Sequence, residues 1–530
     1  MPTTIFENGV VRPRPSAQAV QALVVRGGRV AFAGTVAECR DMAGVSARRI
    51  DLDGRTVVPG FTDSHVHSLQ MATGSMELDL AGCRSYAAIL GAVQRELSLP
   101  EPSGMTASGW FLAGGWGGWG GTGDDAWEPG EPRLADLDRV SGGVPVALHA
   151  ADLHTYWLNT AALRRLGLLE DTYGARATGI ISEATAFAAQ GAIEAETRDE
   201  LERRMDGVLE SFLRCGVTGI HDIDGATVLT YFRAREAERR LPLRVHKITA
   251  ASEMDALIAE GIRSGDGSEW LRYGGIKVFS DGSLSSHTCL MGEEYPDDPG
   301  NFGVASAGAA ELERLVARCE DNGLAIAIHA IGDQAVRNAV EALSTARWSG
   351  PIPHRIEHFQ HARAADVKRF AQLGGIACMQ PSSCTTDFPV VDRILGGRDL
   401  VSYGWRSLLD AGATVAFSSD SPVETINPFA GIHAAITRQR PDGTPPGGWQ
   451  PHERLTRVEA FEAYTLAAAR ASGETGLRGT LDVGAFADFA VLDRDPFLVD
   501  DTALLQTRVE TTVVNGEIAW TSSPTTPIPN

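Results

Sequence analysis

The sequence lacks the features that mark membrane, secreted and nucleic-acid-binding proteins. It contains no run of about 18 apolar residues, so no membrane-spanning helix is expected. The first residues have neither the charged region nor the apolar core of a secretory signal, which favours a cytoplasmic location. Basic residues are outnumbered, 47 to 68, and the formal net charge is -21. That excess of negative charge opposes binding to nucleic acid or to an anionic membrane surface.

Cysteine is also scarce. The seven cysteines are scattered, odd in number and contain no C-x-x-C pair. This pattern fits reduced thiols in a cytoplasm, and it opposes a disulfide framework or a cysteine-based zinc site. The glycine-rich tract at 110–121 is not followed by Lys-Ser or Lys-Thr, so a phosphate-binding loop is not supported either.

What remains is an ordinary globular composition, with 43% hydrophobic and 22% charged residues. A chain of 530 residues predicts roughly two or three domains, or one large barrel with additions. The expected partner is a small-molecule substrate. The sequence does not determine the oligomeric state, and a homo-oligomer is compatible with it.

The most informative stretch is residues 57–68, a short apolar strand that ends in His65-Val66-His67. Side chains alternate along a strand, so His65 and His67 project from one face. Two imidazoles there can reach a single ion, and imidazole suits zinc and similar metals. The alternative is a chance pair of histidines on a surface strand.

Strand-like runs alternate with helical patterns along most of the chain, which is typical of a parallel sheet. Eight such runs predict a (β/α)8 TIM barrel, whose reactive groups lie at the carboxyl ends of its strands. The predicted strands are Gly60–His67, Val217–Ile223, Leu243–Thr249, Gly275–Ser280, Leu324–His329, His354–Phe359, Ile376–Gln380 and Thr414–Asp420. An alanine-rich helix at 457–472 is predicted to close the barrel.

Both ends of the chain predict small β segments. Residues 20–34 form one predicted hairpin, and residues 511–520 form another around an Asn-Gly turn. A further strand is predicted at 488–493. Because chain termini often lie close together, we expect these segments to join in one satellite sheet.

The interval between the first two predicted strands is too long for a single crossover, so residues 74–210 are interpreted as an insertion. Its glycine and tryptophan tract predicts either a cap with aromatic substrate contacts or a loop whose tryptophans pack on the barrel. Trp116 is a candidate substrate contact. Together with Trp110, Trp119 and Trp127 it suggests an apolar or aromatic substituent on the substrate.

Reactive side chains fall at or near the ends of five predicted strands, and a barrel would bring them to one mouth. Each histidine alone could be a polar core residue, and Asp420 could cap a turn. Lys277 within an apolar strand is harder to explain, because lysine is rarely buried unpaired. The set comprises His65, His67, Lys277, His329, His358 and Asp420.

The insertion supplies two further candidates for substrate binding. His154 lies at a strand-to-helix junction, and Glu183 lies within Thr178–Ala184. Glu183 could equally be an exposed residue at the start of a helix.

Several stretches together resemble the amidohydrolase superfamily, and particularly its YtcJ-like branch, which includes N-substituted formamide deformylases. The matching segments are VVPGFTDSHVH, GGIKVFSDGSL, IAIHAIGD, RIEH, FSSDSP, GTLDVGAFADFAVLDRDP and VVNG, with LADLDRVSGGVPVALHAADLH and TGIISEA in the insertion. The resemblance implies a metal-bearing barrel at 60–475 that contains the insertion at 74–210. It also implies a β-sandwich domain built from residues 1–59 and 476–530.

The resemblance also implies roles for the candidate residues. His65, His67 and Asp420 would bind the more buried metal, while His329 and His358 would bind a second. Lys277 aligns with a lysine that many relatives carboxylate to bridge two ions. Two zinc ions are expected, with a single ion or another divalent metal left open.

The implied reaction is hydrolysis of a C–N bond, such as that of an N-substituted formamide, by hydroxide that a metal generates at neutral pH. Asp420 would act as general base and then general acid. One alternative is a deaminase, although Gly332 stands where deaminases of this superfamily carry a glutamate, a role that leaves Glu183 as the alternative acid. The other is a non-catalytic scaffold, which all six filled ligand positions oppose.

Overall fold

The structure is a computed structural model that describes residues 3–117, 127, 130–152, 154–169 and 175–522. The amino-terminal part is mainly β. Its first, third, fourth and fifth strands form a sheet in the order β4-β3-β1-β5. The elements are β1 (Thr3–Glu7), β2 (Val10–Val11), β3 (Ala22–Arg26), β4 (Arg29–Gly34), α1 (Val36–Ala43), β5 (Arg48–Asp51) and β6 (Thr56–Pro59).

The chain then enters the first barrel strand, β7 (Phe61–Val66), and leaves it for a long excursion before the second. This excursion forms its own five-stranded sheet in the order β12-β11-β10-β9-β8. A 32-residue helix, α7, leads back to the barrel. The elements are α2 (Ser68–Gly74), β8 (Leu78–Asp79), α3 (Tyr86–Leu97), β9 (Phe111–Trp116), α4 (Leu134–Ser141), β10 (Val146–Ala150), β11 (Thr155–Leu158), α5 (Thr160–Arg165), α6 (Ala175–Thr178), β12 (Ile180–Ser182) and α7 (Glu183–Arg214).

The remaining seven barrel strands follow, each in parallel with its neighbours. They are β13 (Val217–Asp222), β14 (Arg244–Ala250), β15 (Leu271–Phe279), β16 (Ala325–Ala330), β17 (Arg355–His358), β19 (Ile376–Met379) and β21 (Thr414–Phe417). Helices and two short strands connect them: α8 (Ala226–Ala237), α9 (Met254–Glu260), α10 (Ala309–Asp321), α11 (Asp333–Ser344), β18 (His361–Ala362), α12 (Ala364–Leu373), α13 (Pro381–Leu395), β20 (Val401–Ser402), α14 (Trp405–Asp410) and α15 (Pro428–Thr437).

The eight strands form one sheet in the order β21-β19-β17-β16-β15-β14-β13-β7. Backbone hydrogen bonds join its first and last strands at the carboxyl end: Asp420 N donates to His65 O and His67 N donates to Ser421 O, both at 2.9 Å. The predicted (β/α)8 TIM barrel is therefore confirmed. Each predicted strand overlaps an observed one.

The predicted helix at 457–472 is two helices, α16 (Arg457–Ala463) and α17 (Leu466–Ala471). The interruption has a tertiary cause. Tyr464 O accepts a 2.8 Å hydrogen bond from Thr62 N, within the first barrel strand. A carbonyl used in this way is not free to continue the helix, and periodicity along the sequence cannot show it.

The carboxyl-terminal strands return to the amino-terminal ones. They form the sheet β2-β6-β22-β23-β24, in which β22 pairs antiparallel with β6. Apolar side chains from this sheet and the first one pack together, as in the edge-to-face contact of Phe6 and Phe489 at 4.9 Å. The last elements are β22 (Phe489–Leu492), α18 (Asp501–Leu504), β23 (Val509–Val514) and β24 (Glu517–Thr521).

Candidate metal centre

Three of the predicted ligands meet where the barrel closes. His65 lies on β7, His67 follows that strand, and Asp420 follows the adjacent β21. His65 Nε2 and His67 Nε2 lie 3.1 and 3.4 Å from Asp420 Oδ1. One ligand atom from each of the three residues lies within 4.8 Å of the others. This spacing allows all three to bind one cation.

The other three predicted ligands lie beside this group. The ring centroid of His358 is 5.0 Å from that of His65 and 4.5 Å from that of His329. Lys277 projects from β15 with its Nζ 4.8 Å from the Phe279 ring, which lies 5.2 Å from His329. The six side chains therefore form one continuous cluster at the mouth of the barrel.

Unusual backbone angles orient two of these side chains. Glu357 and His358 are neighbours in β17, and regular alternation would direct them to opposite faces. His358 has φ +70°, which ends the alternation, so Glu357 contacts His65 while His358 faces Asp420. Asp420 itself has φ +56°. Left-handed conformations of non-glycine residues are costly and concentrate at functional sites.

In three of the four histidines of the cluster, a neighbouring polar side chain contacts the Nδ1 atom. His67 Nδ1 lies 2.7 Å from Asp224 Oδ1, and His65 Nδ1 lies 2.5 Å from Glu357 Oε2. His358 Nδ1 lies 2.9 Å from Gln380 Oε1. Such partners fix the tautomer and orientation of a ligating imidazole, and they leave Nε2 as the free ligand atom. In His329 the engaged nitrogen is Nε2, 3.2 Å from Gly282 O.

The residues at the centre fit a bound metal. His65 Nε2, Lys277 Nζ and Asp420 Oδ1 are buried atoms that form no hydrogen bond within the described part of the chain. Buried polar atoms are usually satisfied, and three unsatisfied ones gathered in one cluster, with His65 Nε2 3.1 Å from Asp420 Oδ1, fit a site that binds a cation. Imidazole nitrogen and carboxylate oxygen are donors that suit zinc and related divalent ions.

Electrostatics support the same assignment. Burial raises the pKa of Asp420, but the nearby His65 and His67 outweigh it and hold that pKa well below its ordinary value. Asp420 is therefore a carboxylate at neutral pH. Burial lowers the pKa of Lys277, and the negative charges of Glu357 and Asp420 offset only part of this decrease. This favours the neutral amine, the form of lysine that can be carboxylated.

A buried ionic layer lies behind the ligands, and the sequence analysis missed it. Glu357, which holds His65, accepts a 2.9 Å hydrogen bond from Arg355 Nη2. Lys247 Nζ forms a fully buried ion pair with Asp222 Oδ1 at 2.9 Å. The available signal was the presence of charged or amide residues in or just after apolar strands. These residues are Asp222, Asp224, Lys247, Arg355, Glu357 and Gln380.

The insertion contributes a histidine to the mouth. His154 lines the cavity above the cluster, and its ring centroid lies 6.5 Å from that of His329. Its Nδ1 lies 3.1 Å from Glu183 Oε2, and Glu183 N donates to His154 O at 2.9 Å. Glu183 has φ +51°, the left-handed region again. Glu183 thus holds the histidine that the insertion presents to the site.

The contact of Trp116 with substrate stays a prediction, and the placement of the tryptophans does not favour it. Trp116 is 5% exposed, its Nε1 donates to Leu148 O, and it lines neither described cavity near the site. Trp110 is fully buried, and Trp127 packs near Trp116 around Tyr86. Trp116 and Trp127 therefore belong to the core of the insertion, while Trp110 packs in the apolar cluster that includes the barrel core. Trp119 lies outside the described residues.

The cluster opens into a cavity of about 580 Å³. The barrel supplies its floor, and α13 supplies one wall through Ser383, Asp387 and Val390, which recur at helical spacing. A cavity of this size encloses a small organic molecule. Among the described helices, none combines the length and apolarity needed to cross a bilayer.

Comparisons with known proteins agree with this geometry. Residues 48–519 match the model of a family described as the amidohydrolase family. The chain is 30% identical to the Arabidopsis thaliana protein LONG AFTER FAR-RED 3, covering 89% of this chain and 83% of that one. It is 27% identical to the putative amidohydrolase YtcJ of Bacillus subtilis, covering 95% and 96% of the two chains.

Two further similar proteins are named for an activity. The N-substituted formamide deformylase of Arthrobacter pascens is 27% identical over 94% of this chain and 95% of its own. Among solved structures, an uncharacterized metal-dependent hydrolase from Pyrococcus furiosus is 28% identical, with a TM-score of 0.76. That match covers 93% of this chain and 100% of the other.

Proposed function

The chain belongs to the amidohydrolase family of metal-dependent hydrolases, and from this premise we propose that it hydrolyses the C–N bond of a small linear amide. An N-substituted formamide is the favoured substrate, because a deformylase of such compounds aligns along 94% of this chain. The observation that carries the proposal is the cluster of unsatisfied buried polar atoms at His65, Lys277 and Asp420.

His65, His67 and Asp420 would hold one ion, proposed to be zinc. His329 and His358 would hold a second, and Lys277 would join the two ions once it is carboxylated. When bound, the metal supplies hydroxide at neutral pH and polarises the carbonyl group. A single-ion site formed by the first three residues remains the alternative.

Asp420 is proposed to transfer the proton. It is ionised, and its side chain is 14% exposed, so it faces the cavity as well as the two histidines. In the proposed reaction a C–O bond forms and the C–N bond breaks. The carboxylate of Asp420 accepts the proton of the attacking water and delivers it to the departing nitrogen, which leaves as an amine.

His154 is proposed to hydrogen-bond the substrate from the opposite side of the cavity. Its Nδ1 is engaged by Glu183, and its Nε2 forms no hydrogen bond within the described residues. The ring is fixed by edge contact with Phe187 at 5.2 Å. Glu183 acts through His154 as a positioning residue.

Deamination is disfavoured by the surroundings of Gly332. A Cβ at this position would lie 2.0 Å from Leu290 O, so position 332 cannot carry the glutamate that deaminases of the superfamily have there. The test is a panel of N-substituted formamides and aminopyrimidines, with amine, formate and ammonia followed separately. Release of formate and amine supports the proposal, and ammonia release from the heterocycles alone refutes it.

A further inference from the structure

A second cavity of about 340 Å³ adjoins the cavity over the metal centre, and the proposed reaction does not use it. Its walls come from α2, from the insertion strands and from the segment after Asp420. Several residues line both cavities, and most of them have small side chains, which leaves a connection between the two spaces. The shared residues are Gln70, Ala81, Gly115, Ala151 and Val423.

The second cavity contains a buried ion pair between Glu77 and His149. His149 Nε2 lies 2.6 Å from Glu77 Oε2, and the Glu77 side chain is only 6% exposed. The imidazole lies directly against the backbone of Gly114, where a Cβ would approach to within 1.8 Å of His149 Nε2. The absence of a side chain at Gly114, in the glycine tract, therefore leaves room for the His149 ring.

Because both N–H groups of His149 are engaged, the part of this ion pair that remains available to a ligand is a hydrogen-bond acceptor. Burial lowers the pKa of His149, but Glu77 outweighs it and raises the pKa to about 9, so the ring is an imidazolium at neutral pH. Both of its N–H groups are used, since Nδ1 lies 2.9 Å from Ala150 O. Glu77 Oε1 accepts no hydrogen bond from any described residue. Gln70 Oε1 is buried and also unpaired.

Gln70 connects this cavity to the reaction. It lies three residues after His67, in the first turn of α2, and it lines both spaces. Its unpaired oxygen costs free energy unless a ligand donates to it. Tyr156, which lines the same cavity, adds a hydroxyl that can donate or accept.

We propose that the second cavity binds a hydroxyl or amino group at the end of the substrate's nitrogen substituent. This inference rests on the proposed amide hydrolysis, and it specifies the substituent. The donor group of the ligand satisfies Gln70 Oε1 and Glu77 Oε1, while the scissile bond stays at the metal centre.

The test compares N-(ω-hydroxyalkyl)formamides of increasing chain length with N-alkylformamides that have the same number of non-hydrogen atoms. At the length that reaches the second cavity, the hydroxyl compound should have a kcat/KM about tenfold higher than its alkyl partner. Equal kcat/KM values within every pair would overturn the inference while leaving amide hydrolysis intact.

The variant Gln70→Met removes the unpaired acceptor with little change of volume, and the exposed Gln94→Met is its matched control. The ratio of kcat/KM for the hydroxyl compound to that for its alkyl partner should fall from about tenfold to about twofold in Gln70→Met, where Glu77 Oε1 can still accept, and stay near tenfold in Gln94→Met. An undiminished ratio in Gln70→Met would refute the assigned role of that residue.

A binding measurement separates this inference from the proposed reaction. N-(3-hydroxypropyl)methanesulfonamide and N-butylmethanesulfonamide, which have the same number of non-hydrogen atoms and no hydrolysable amide, are titrated calorimetrically into the metal-loaded protein. Tighter binding of the hydroxyl compound that Gln70→Met weakens supports the second cavity even if no formamide is hydrolysed. Equal binding of the two compounds contradicts it.

Discussion

Asp224 and Asp420 contact the two different nitrogens of the His67 ring: Asp224 Oδ1 lies 2.7 Å from His67 Nδ1, while His67 Nε2 lies 3.4 Å from Asp420 Oδ1. The Asp224→Asn variant should bind zinc about 10- to 100-fold more weakly, because it loses the charge that orients the imidazole and makes it more basic. Competition with a chromophoric chelator measures this affinity. The exposed Asp41→Asn is the control and should match the wild type. Unchanged affinity in Asp224→Asn would contradict the assignment of His67.

Asp420→Asn tests the proton-transfer step. This variant should lower kcat/KM by about 10²- to 10⁴-fold, because an amide cannot accept the proton of the attacking water. Steady-state kinetics on the best formamide measure the loss. Circular dichroism and the melting temperature should show an intact fold. Near-normal turnover by a folded, metal-loaded variant would exclude Asp420 as the base.

Glu459 gives the protein a pH-dependent contribution to stability far from the metal centre. Burial raises the pKa of Glu459, but hydrogen bonds from Arg406 and Thr456 outweigh it and lower the pKa to about 2 from an ordinary 4.5. A lowered pKa stabilises the fold above the unfolded value, and this contribution is lost as the pH falls toward the folded one. Glu459→Gln should cost about 1 kcal/mol at pH 7, because it removes the charge from a partly exposed ion pair with Arg406, while a glutamine can keep the capping box.

Urea unfolding of both proteins at several pH values measures this difference. It should shrink between about pH 4.5 and pH 2 as the wild-type carboxylate becomes protonated. A difference in unfolding free energy that stays constant over that range would show that the hydrogen bonds, and not the charge, account for it.

Gly332→Ala tests the crowding that excludes an acid at this position. The added Cβ would lie 2.0 Å from Leu290 O, so the variant should lose about 1–3 kcal/mol of unfolding free energy. Gly191→Ala within α7 meets nothing within 4 Å and should instead stabilise the protein by about 0.5–1 kcal/mol. Thermal unfolding compares the two. If Gly332→Ala left the unfolding free energy unchanged, the deaminase interpretation would be open again.

Much of this architecture could be predicted from the sequence because its signals are local. The histidine pair at 65 and 67 follows from strand alternation, and the order of strand-like runs predicted the barrel. Strict alternation places the side chains of Glu357 and His358 on opposite faces. That both reach the site could not be predicted, because it depends on the left-handed backbone at His358.

Other features were missed because they depend on tertiary context. Trp116 is a typical aromatic substrate contact by composition, but the insertion forms a core of its own and buries it. The break at Tyr464 depends on a hydrogen bond from Thr62, about 400 residues earlier. Residues that act through distant partners leave little trace in a single sequence.

The central claim is that six distant side chains assemble to bind divalent metal at the mouth of the barrel. Anomalous diffraction from crystals of zinc-loaded protein tests it most directly. The account predicts a peak about 2.0–2.2 Å from His65 Nε2, His67 Nε2 and an oxygen of Asp420, with a second beside His329 and His358 if two ions bind. Peaks only at other positions, or no peak in this cluster at saturating zinc, would contradict it.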